Sequence, residues 1–418
     1  MHPAFSVIFL TTLIGAGQGL FLALITGQVY SVASLLPPQD GPSFYAAGSL
    51  IVLVWLGLGL LASFFHLGRP ERAWRAATQW RASWLSREVV VLPVFMGLVV
   101  LYGILHLSGW TPVLFTIKES LVIDLSLVVG LLAGTVAFLL YVSTAMIYAS
   151  LRFLQEWHHW LTVANYTLFG LASGFTLAAA FSALQGVHLV GFFGTWAVIF
   201  TLAAFITRAA SLYRNARIKR KSTVQTAIGV RHTHVRQRSM GFMGGSFNTR
   251  EFFHGKGPGV LTVVRWSFVL LVFVVPVVLL AVAFVTESEM LPLVAFLAQY
   301  TGLLFERWYF FAEAQHPQNL YYQSVAEGTD AARQVMRAAS PVAHFSRLPA
   351  HSRAQAEIAV GLAHQQHTSV ETRVDPAAFE GWKCERPLGA FSHGRSPVRF
   401  QCKQLKLFEL PGLCLSCL

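Results

Sequence analysis

The stretch SFYAAGSLIVLVWLGLGLLASFFHLGRPERAW, Ser43–Trp74, decides the class of this protein. From Ser43 to His66 it holds no Asp, Glu, Lys or Arg, and about 20 mostly apolar residues are enough for a helix to cross a bilayer. The run then ends on His66 and breaks into Arg69, Arg72 and Arg75, with Arg81 and Arg87 further on, before a second apolar run opens at Glu88. A span that closes on a histidine and a row of arginines marks a membrane surface that carries charge.

Working outward, runs of the same kind occur near residues 5–30, 43–66, 88–107, 122–149, 161–183, 187–207, 260–285 and 291–312, all before residue 315. A chain of 418 residues with 55% hydrophobic residues, 12% charged residues and a mean hydropathy of +0.55 is too apolar for a soluble globule. The runs are too long and too continuous for the alternating ten-residue strands of a barrel. The expected fold is an all-α integral membrane bundle of eight transmembrane helices. The first run starts close to Met1 without a basic flank, so it is expected to be a retained span.

The formal net charge of +12 follows membrane topology more simply than nucleic-acid binding. Basic residues cluster after the second, fourth and sixth spans, at Arg69–Arg87, at Arg152, and from Arg208 to Lys256. The other loops offer Asp40, Lys118 with Glu119, and Glu287 with Glu289. This asymmetry places both termini and the even-numbered loops in the cytoplasm of a prokaryotic inner membrane. Residues 208–259 form a basic loop whose aromatic residues, Phe247, Phe252 and Phe253, suit a docking surface. Residues 324–418 change in composition and form a mostly irregular C-terminal extension of unknown role, separate from a membrane anchor domain at 1–323. All four cysteines lie within it, so the bundle has no thiolate for an iron–sulfur cluster, and the terminal Cys414–Cys417 spacing is a weak zinc signal. Gly15/Gly19, Gly130/Gly134 and Gly170/Gly174 have the spacing that lets membrane helices approach closely, and Pro93 and Pro276 mark expected kinks.

Ionisable residues within membrane helices are costly and are candidates for function. With spans alternating in direction, His66, Glu88, Tyr148, Arg152, Arg265, Glu306 and Arg307 fall on the even-loop face, while His106, Asp124 and His188 fall on the other. The first set describes a pocket for an amphipathic molecule that exchanges protons, such as a quinol, with His66 and Glu88 as proton acceptors. Either residue alone is as well explained by a helix end near the headgroups. Trp74, Trp80, Trp84, Trp157 and Trp160 read as an interfacial belt.

The segments HLGRPERAW (66–74), WRASWLSRE (80–88) and AMIYASLRFLQEWHHWLT (145–162), in this order, resemble the membrane anchor subunit of dimethyl sulfoxide reductase, the DmsC family, a relative of the NrfD-type quinol-interacting subunits. The resemblance covers residues 1–323. It implies an eight-helix anchor without haem or iron–sulfur cluster that binds menaquinol or ubiquinol. Its implied partners are an iron–sulfur electron-transfer subunit and a molybdopterin catalytic subunit. Carried over by motif, the quinol-site residues are His66 and Glu88; Arg69, Tyr148, Arg265 and Arg307 join them as binding residues through their placement on the same face.

The leading expectation is oxidation of quinol with electrons passed to a partner that reduces dimethyl sulfoxide or a similar S- or N-oxide. Relatives of this anchor serve sulfite-oxidising molybdoenzymes that reduce quinone, and these residues do not fix the direction. A secondary transporter of anions and a b-type cytochrome using His106 and His188 are weaker readings, because the charges lie at membrane faces and the histidines at helix ends. Alkaline phosphatase fused into the loops after the second, fourth or sixth span should be inactive, and fused after the first or third should be active; the opposite pattern inverts the orientation.

Overall fold

The backbone carbonyls and amides of a chain in lipid must be satisfied within the chain, and the helix is the local solution. The computed structural model describes residues 1–36, 42–117, 121–186, 189–232, 235 and 251–321, all within one compact unit. Expectations for His188, for most of residues 233–250 and for the extension 324–418 lie outside the described residues. Long helices occur at every expected run: α1 (Phe5–Val32), α2 (Pro42–Phe64), α3 (Trp84–Ser108), α4 (Leu125–Ala149), α5 (Trp160–Leu184) and α6 (Val190–Ala216). After a short α7 (Val224–Ile228), α8 (Pro258–Val269) and α9 (Val275–Thr286) form one continuous rod, and α10 (Leu291–Glu313) ends the bundle.

Seven of these segments are long and apolar enough to cross a membrane. The eighth expected span, α10, is a 23-residue helix that carries Gln299, Glu306, Arg307 and Glu313, which lower its hydropathy. A hairpin of β1 (Val113–Ile117) and β2 (Leu121–Asp124) precedes α4, an element the apolar run at 122–149 conceals.

The centre of the bundle is the pair α1 and α5. Their most apolar stretches are 72% and 83% buried, against 28% for α2 and α6. Small residues explain the position. A Cβ on Gly19 would overlap the Gly170 carbonyl, and one on Gly174 would overlap the backbone of Gly19 and Leu20. Two of the three small-residue pairs thus meet each other, backbone on backbone. The third works differently: Gly130 makes room for Ile25 and Tyr102 side chains.

The two prolines, where kinks are expected, differ in their surroundings. α3 runs through Pro93 without a break in its helical course. Before Pro276 the rod widens into a π-turn at Leu270–Val274. Proline lacks an amide proton, so the carbonyl four residues back loses its partner. That carbonyl, on Val272, accepts from Gln299 Nε2 of α10 at 3.3 Å, and the same nitrogen donates to Thr201 Oγ1 of α6 at 3.1 Å. One buried amide therefore ties α6, the α8–α9 rod and α10 together.

The alternation of spans gathers the even-loop segments at one end. The Met1 amine donates to Ala314 O at 2.8 Å, His2 N to Glu251 O at 2.8 Å, and Arg214 Nη2 to Gln155 O at 2.9 Å. Substituting Gly174 by leucine should separate α1 from α5 and sharply reduce the amount of folded protein extracted in mild detergent; wild-type yield and melting temperature would show that the crossing tolerates a side chain.

Candidate functional site

Glu88 does not start its helix. Ser83 is the N-cap, its hydroxyl accepting from Ser86 N at 3.4 Å, and Glu88 lies in the second turn of α3, buried. Its carboxylate accepts from Thr144 Oγ1 of α4 at 2.6 Å. Around this pair α1 contributes Thr11, Gly15 and Gln18, α4 adds Tyr141, and α5 adds Tyr166; together they line a small cavity. A second cavity, lined by Thr12, Ser173 and Arg307 among others, shares Thr11, Gly15 and Tyr166 with the first. Each has a volume of about 20 Å³.

Tyr148 stacks on Tyr166 with ring centroids 5.5 Å apart, and the Arg307 guanidinium sits 4.0 Å over the other ring, that of Tyr166. Arg307 is held by Glu306, with Nε to Oε2 at 2.6 Å, and the other Glu306 oxygen faces Arg208 Nε at 2.9 Å. Arg208 also reaches Glu313 at 3.8 Å. Arg208, Glu306 and Arg307 are each less than 5% exposed. The sequence conceals this ionic row because Arg208 adjoins the basic loop and reads as its first residue. The structure corrects that boundary: α6 continues to Ala216, so Arg208 is a buried helical residue and the loop starts later. A pattern signal exists, since Arg208 follows Ala204 and Thr201 on one helical face, all three buried.

The structure therefore brings Glu88, Tyr148 and Arg307 into one polar centre, and it leaves three other expected residues around it. His66 lies two residues beyond α2, in a turn, with Nδ1 buried and without a hydrogen-bond partner among the described residues. Partial burial holds its imidazole below the ordinary histidine value. It does not line either cavity. Arg69 is exposed at the start of a 3₁₀ segment, Pro70–Gln79, that has no buried residue. Arg265 of α8 is half-buried and lies beside Tyr309, outside both cavities.

The tryptophans divide. Trp74, Trp80 and Trp160 are exposed, as an interfacial belt requires. Trp157 is buried: its ring stacks on Phe310 at 5.1 Å and its Nε1 donates to Phe310 O at 3.1 Å, so it belongs to the core beneath Tyr148. Arg75, Arg81 and Arg87 each lie over a tryptophan, at 5.7, 5.3 and 4.0 Å from Trp74, Trp80 and Trp84.

At the opposite end, Asp124 and Gln28 are consumed by structure. Asp124 caps α4 by accepting from Leu127 N at 2.8 Å and from Ser126 Oγ at 3.0 Å. Gln28 bridges Ser126 and Tyr102, each at 2.8 Å. The His106 ring packs between Tyr45 and Tyr102, with centroids 4.8 and 4.5 Å away. No group of three or more histidine, cysteine or acidic residues with metal-site geometry occurs among the described residues.

Comparison with known proteins matches residues 1–322 to the DMSO reductase anchor subunit (DmsC) family. A relative from Allochromatium vinosum, described as a subunit of sulfite dehydrogenase, is 60% identical over 326 residues, which is 78% of this chain and 100% of the relative.

Removing one member of a buried ion pair leaves the other charge uncompensated, at a cost of about 3–5 kcal/mol. Arg208→Leu should lower the melting temperature of the detergent-solubilised protein markedly, and pairing it with Glu306→Leu should recover part of the loss. Equal melting of wild type and Arg208→Leu would show that the row adds no stability.

Proposed function

Because the chain belongs to the DMSO reductase anchor subunit family, a family of membrane anchors of molybdoenzymes, we propose that it anchors a sulfite-oxidising molybdoenzyme and reduces quinone with the electrons that enzyme releases. The observation that carries this reading is the 60% identity over the full length of a relative described as a sulfite dehydrogenase subunit. It takes the second of the two directions open from the sequence, in place of quinol oxidation coupled to reduction of dimethyl sulfoxide. The partners on this reading are an iron–sulfur subunit, which delivers the electrons, and a molybdopterin subunit, which oxidises sulfite. The exposed arginines Arg69, Arg72 and Arg75 present a positive face on which such a partner docks. The even-loop end of the bundle is the cytoplasmic side.

Reduction of a quinone consumes two electrons and two protons. The electrons arrive from the partner, and the protons pass through groups at the edge of the membrane. His66, held below the ordinary imidazole value by burial, gives up a proton readily once charged. Glu88, fixed by Thr144, is the second group able to hand over a proton. The quinone ring lies between the His66 turn and the second turn of α3, with its tail in lipid. The cavities behind Glu88, at about 20 Å³ each, are too small for a ring. The head therefore approaches Glu88 from outside them. Tyr148 and Arg307 support the site from behind, through Tyr166.

A fluorescent quinol-analogue inhibitor titrated into membranes containing the chain with its co-expressed partners should bind saturably, and His66→Ala and Glu88→Gln should each weaken binding at least tenfold. The same membranes should reduce quinone when given sulfite. Unchanged binding in both variants would place the site elsewhere, and quinol-dependent reduction of dimethyl sulfoxide without sulfite oxidation would restore the other direction.

A further inference from the structure

Behind Glu88 a row of polar groups leads toward the even-loop end of the bundle. Its first part is the pair of cavities. A volume of about 20 Å³ suits one water molecule, provided two to four polar groups surround it. The first cavity offers Glu88, Thr144 and Gln18, the second Arg307 and Ser173, and Thr11 and Tyr166 stand between them. Two donors at these cavities, Gln18 Nε2 and Arg307 Nη1, are buried without a hydrogen-bond partner among the described residues. Gln18 is 1% exposed and Arg307 4%. Buried donors are nearly always satisfied by protein or by ordered water, so both point to water as the group they serve.

The second part of the row is ionic. From Arg307 it continues through Glu306 at 2.6 Å and Arg208 at 2.9 Å to Glu313 at 3.8 Å. Glu306 and Glu313 are seven residues apart on α10, about 10 Å along the helix. Exposure rises along the way, from 0% at Glu306 to 16% at Glu313. Glu313 ends α10 where the Met1 amine and the α4–α5 link also meet, which is the even-loop end of the bundle.

We propose that the two cavities hold a pair of ordered waters that carry protons to and from Glu88, and that the Arg307–Glu306–Arg208–Glu313 row orients the inner water and marks the way to the aqueous phase at the even-loop end. The route rests on the reading of Glu88 as a proton donor to quinone. In one turnover two electrons enter the quinone from the iron–sulfur partner. The Glu88 O–H bond breaks as one hydroquinone O–H forms, and His66 supplies the other proton. Glu88 regains its proton from the adjacent water, which is refilled from the second water and then from the aqueous phase along the ionic row. The arginines do not titrate; they orient the waters and the carboxylates. Gln18, a residue that no sequence motif marks, is a positioning residue for the first water.

The test uses the complex with its partners in native membranes, with sulfite as donor and a short-chain quinone as acceptor. Gln18→Leu and Thr11→Val remove polar groups around the waters, and Glu313→Gln removes the charge at the exit. Turnover should fall about tenfold in each, with an enlarged solvent deuterium isotope effect, while the KM for quinone and the binding of the inhibitor stay at wild-type values. Unchanged turnover and isotope effect in Gln18→Leu and Thr11→Val would overturn the route, even if Glu313→Gln fails to assemble. A raised KM with unchanged kcat would also overturn it, by showing that the ring itself rests on these residues. Absence of inhibitor binding in the wild type would instead overturn the quinone reading on which the route depends.

Discussion

The backbone crossing of α1 and α5 at Gly19, Gly170 and Gly174 is the constraint from which the rest of the structure follows. Lipid offers no hydrophobic drive for helices to associate, so close packing and polar contacts must hold them together. At this crossing no side chain intervenes. The closeness puts Thr11, Gly15 and Gln18 of α1 opposite Tyr166 of α5, and α4 joins them when Tyr141 donates to Gly15 O at 2.8 Å. The polar centre is therefore a product of where glycines fall on two helices, one turn away from the residues that carry the chemistry.

Charge at that depth survives because it is paired. Arg307 is neutralised by Glu306, and Glu306 in turn by Arg208, across two different helices. Such pairs add little net stability against an apolar replacement, yet each member makes the others indispensable. Their value lies in placement. A guanidinium fixed by a carboxylate on one edge and by the Tyr166 ring on its face belongs to a residue that lines a cavity, with Nη1 left without a partner among the described residues.

Much of the fold could be read from the sequence, because a membrane reduces the problem to counting apolar runs and charges. Every expected span has its helix, and the boundaries agree to a few residues except at α6, where Arg208 interrupts the apolar run without ending the helix. Burial of a charge depends on a partner 98 residues away in Glu306, and no local pattern reports that distance. The same limit applies to Trp157: its composition and position match an interfacial belt, and only the packing of α10 encloses it. At the candidate site, Glu88 and Arg307 each line a cavity beside Tyr166, on which Tyr148 stacks, while His66, Arg69 and Arg265, placed on the same face, line neither. Gln18 was invisible, since a single glutamine in an apolar helix is as well explained by a structural tie such as Gln28 or Gln299.

The comparison of Gln18 with Gln28 shows why the two ends of the bundle do different work. The two residues are ten apart on α1, about 15 Å along the axis. Between them Leu20, Phe21, Leu22, Ala23, Leu24 and Ile25 are buried, and Phe21 meets Phe95 edge-on at 5.5 Å. On α3 the interval from Glu88 to Tyr102 is closed in the same way by Leu92, Phe95 and Val99. A proton cannot pass such a layer without a polar group or a water to carry it. Beyond it Gln28, Ser126, Tyr102 and Asp124 satisfy one another as caps and bridges, while Tyr45 Oη and His106 Nε2 are buried without a partner among the described residues. If quinone is reduced beside Glu88, the polar row that ends at Glu313 lies on the side of this layer that faces the even loops.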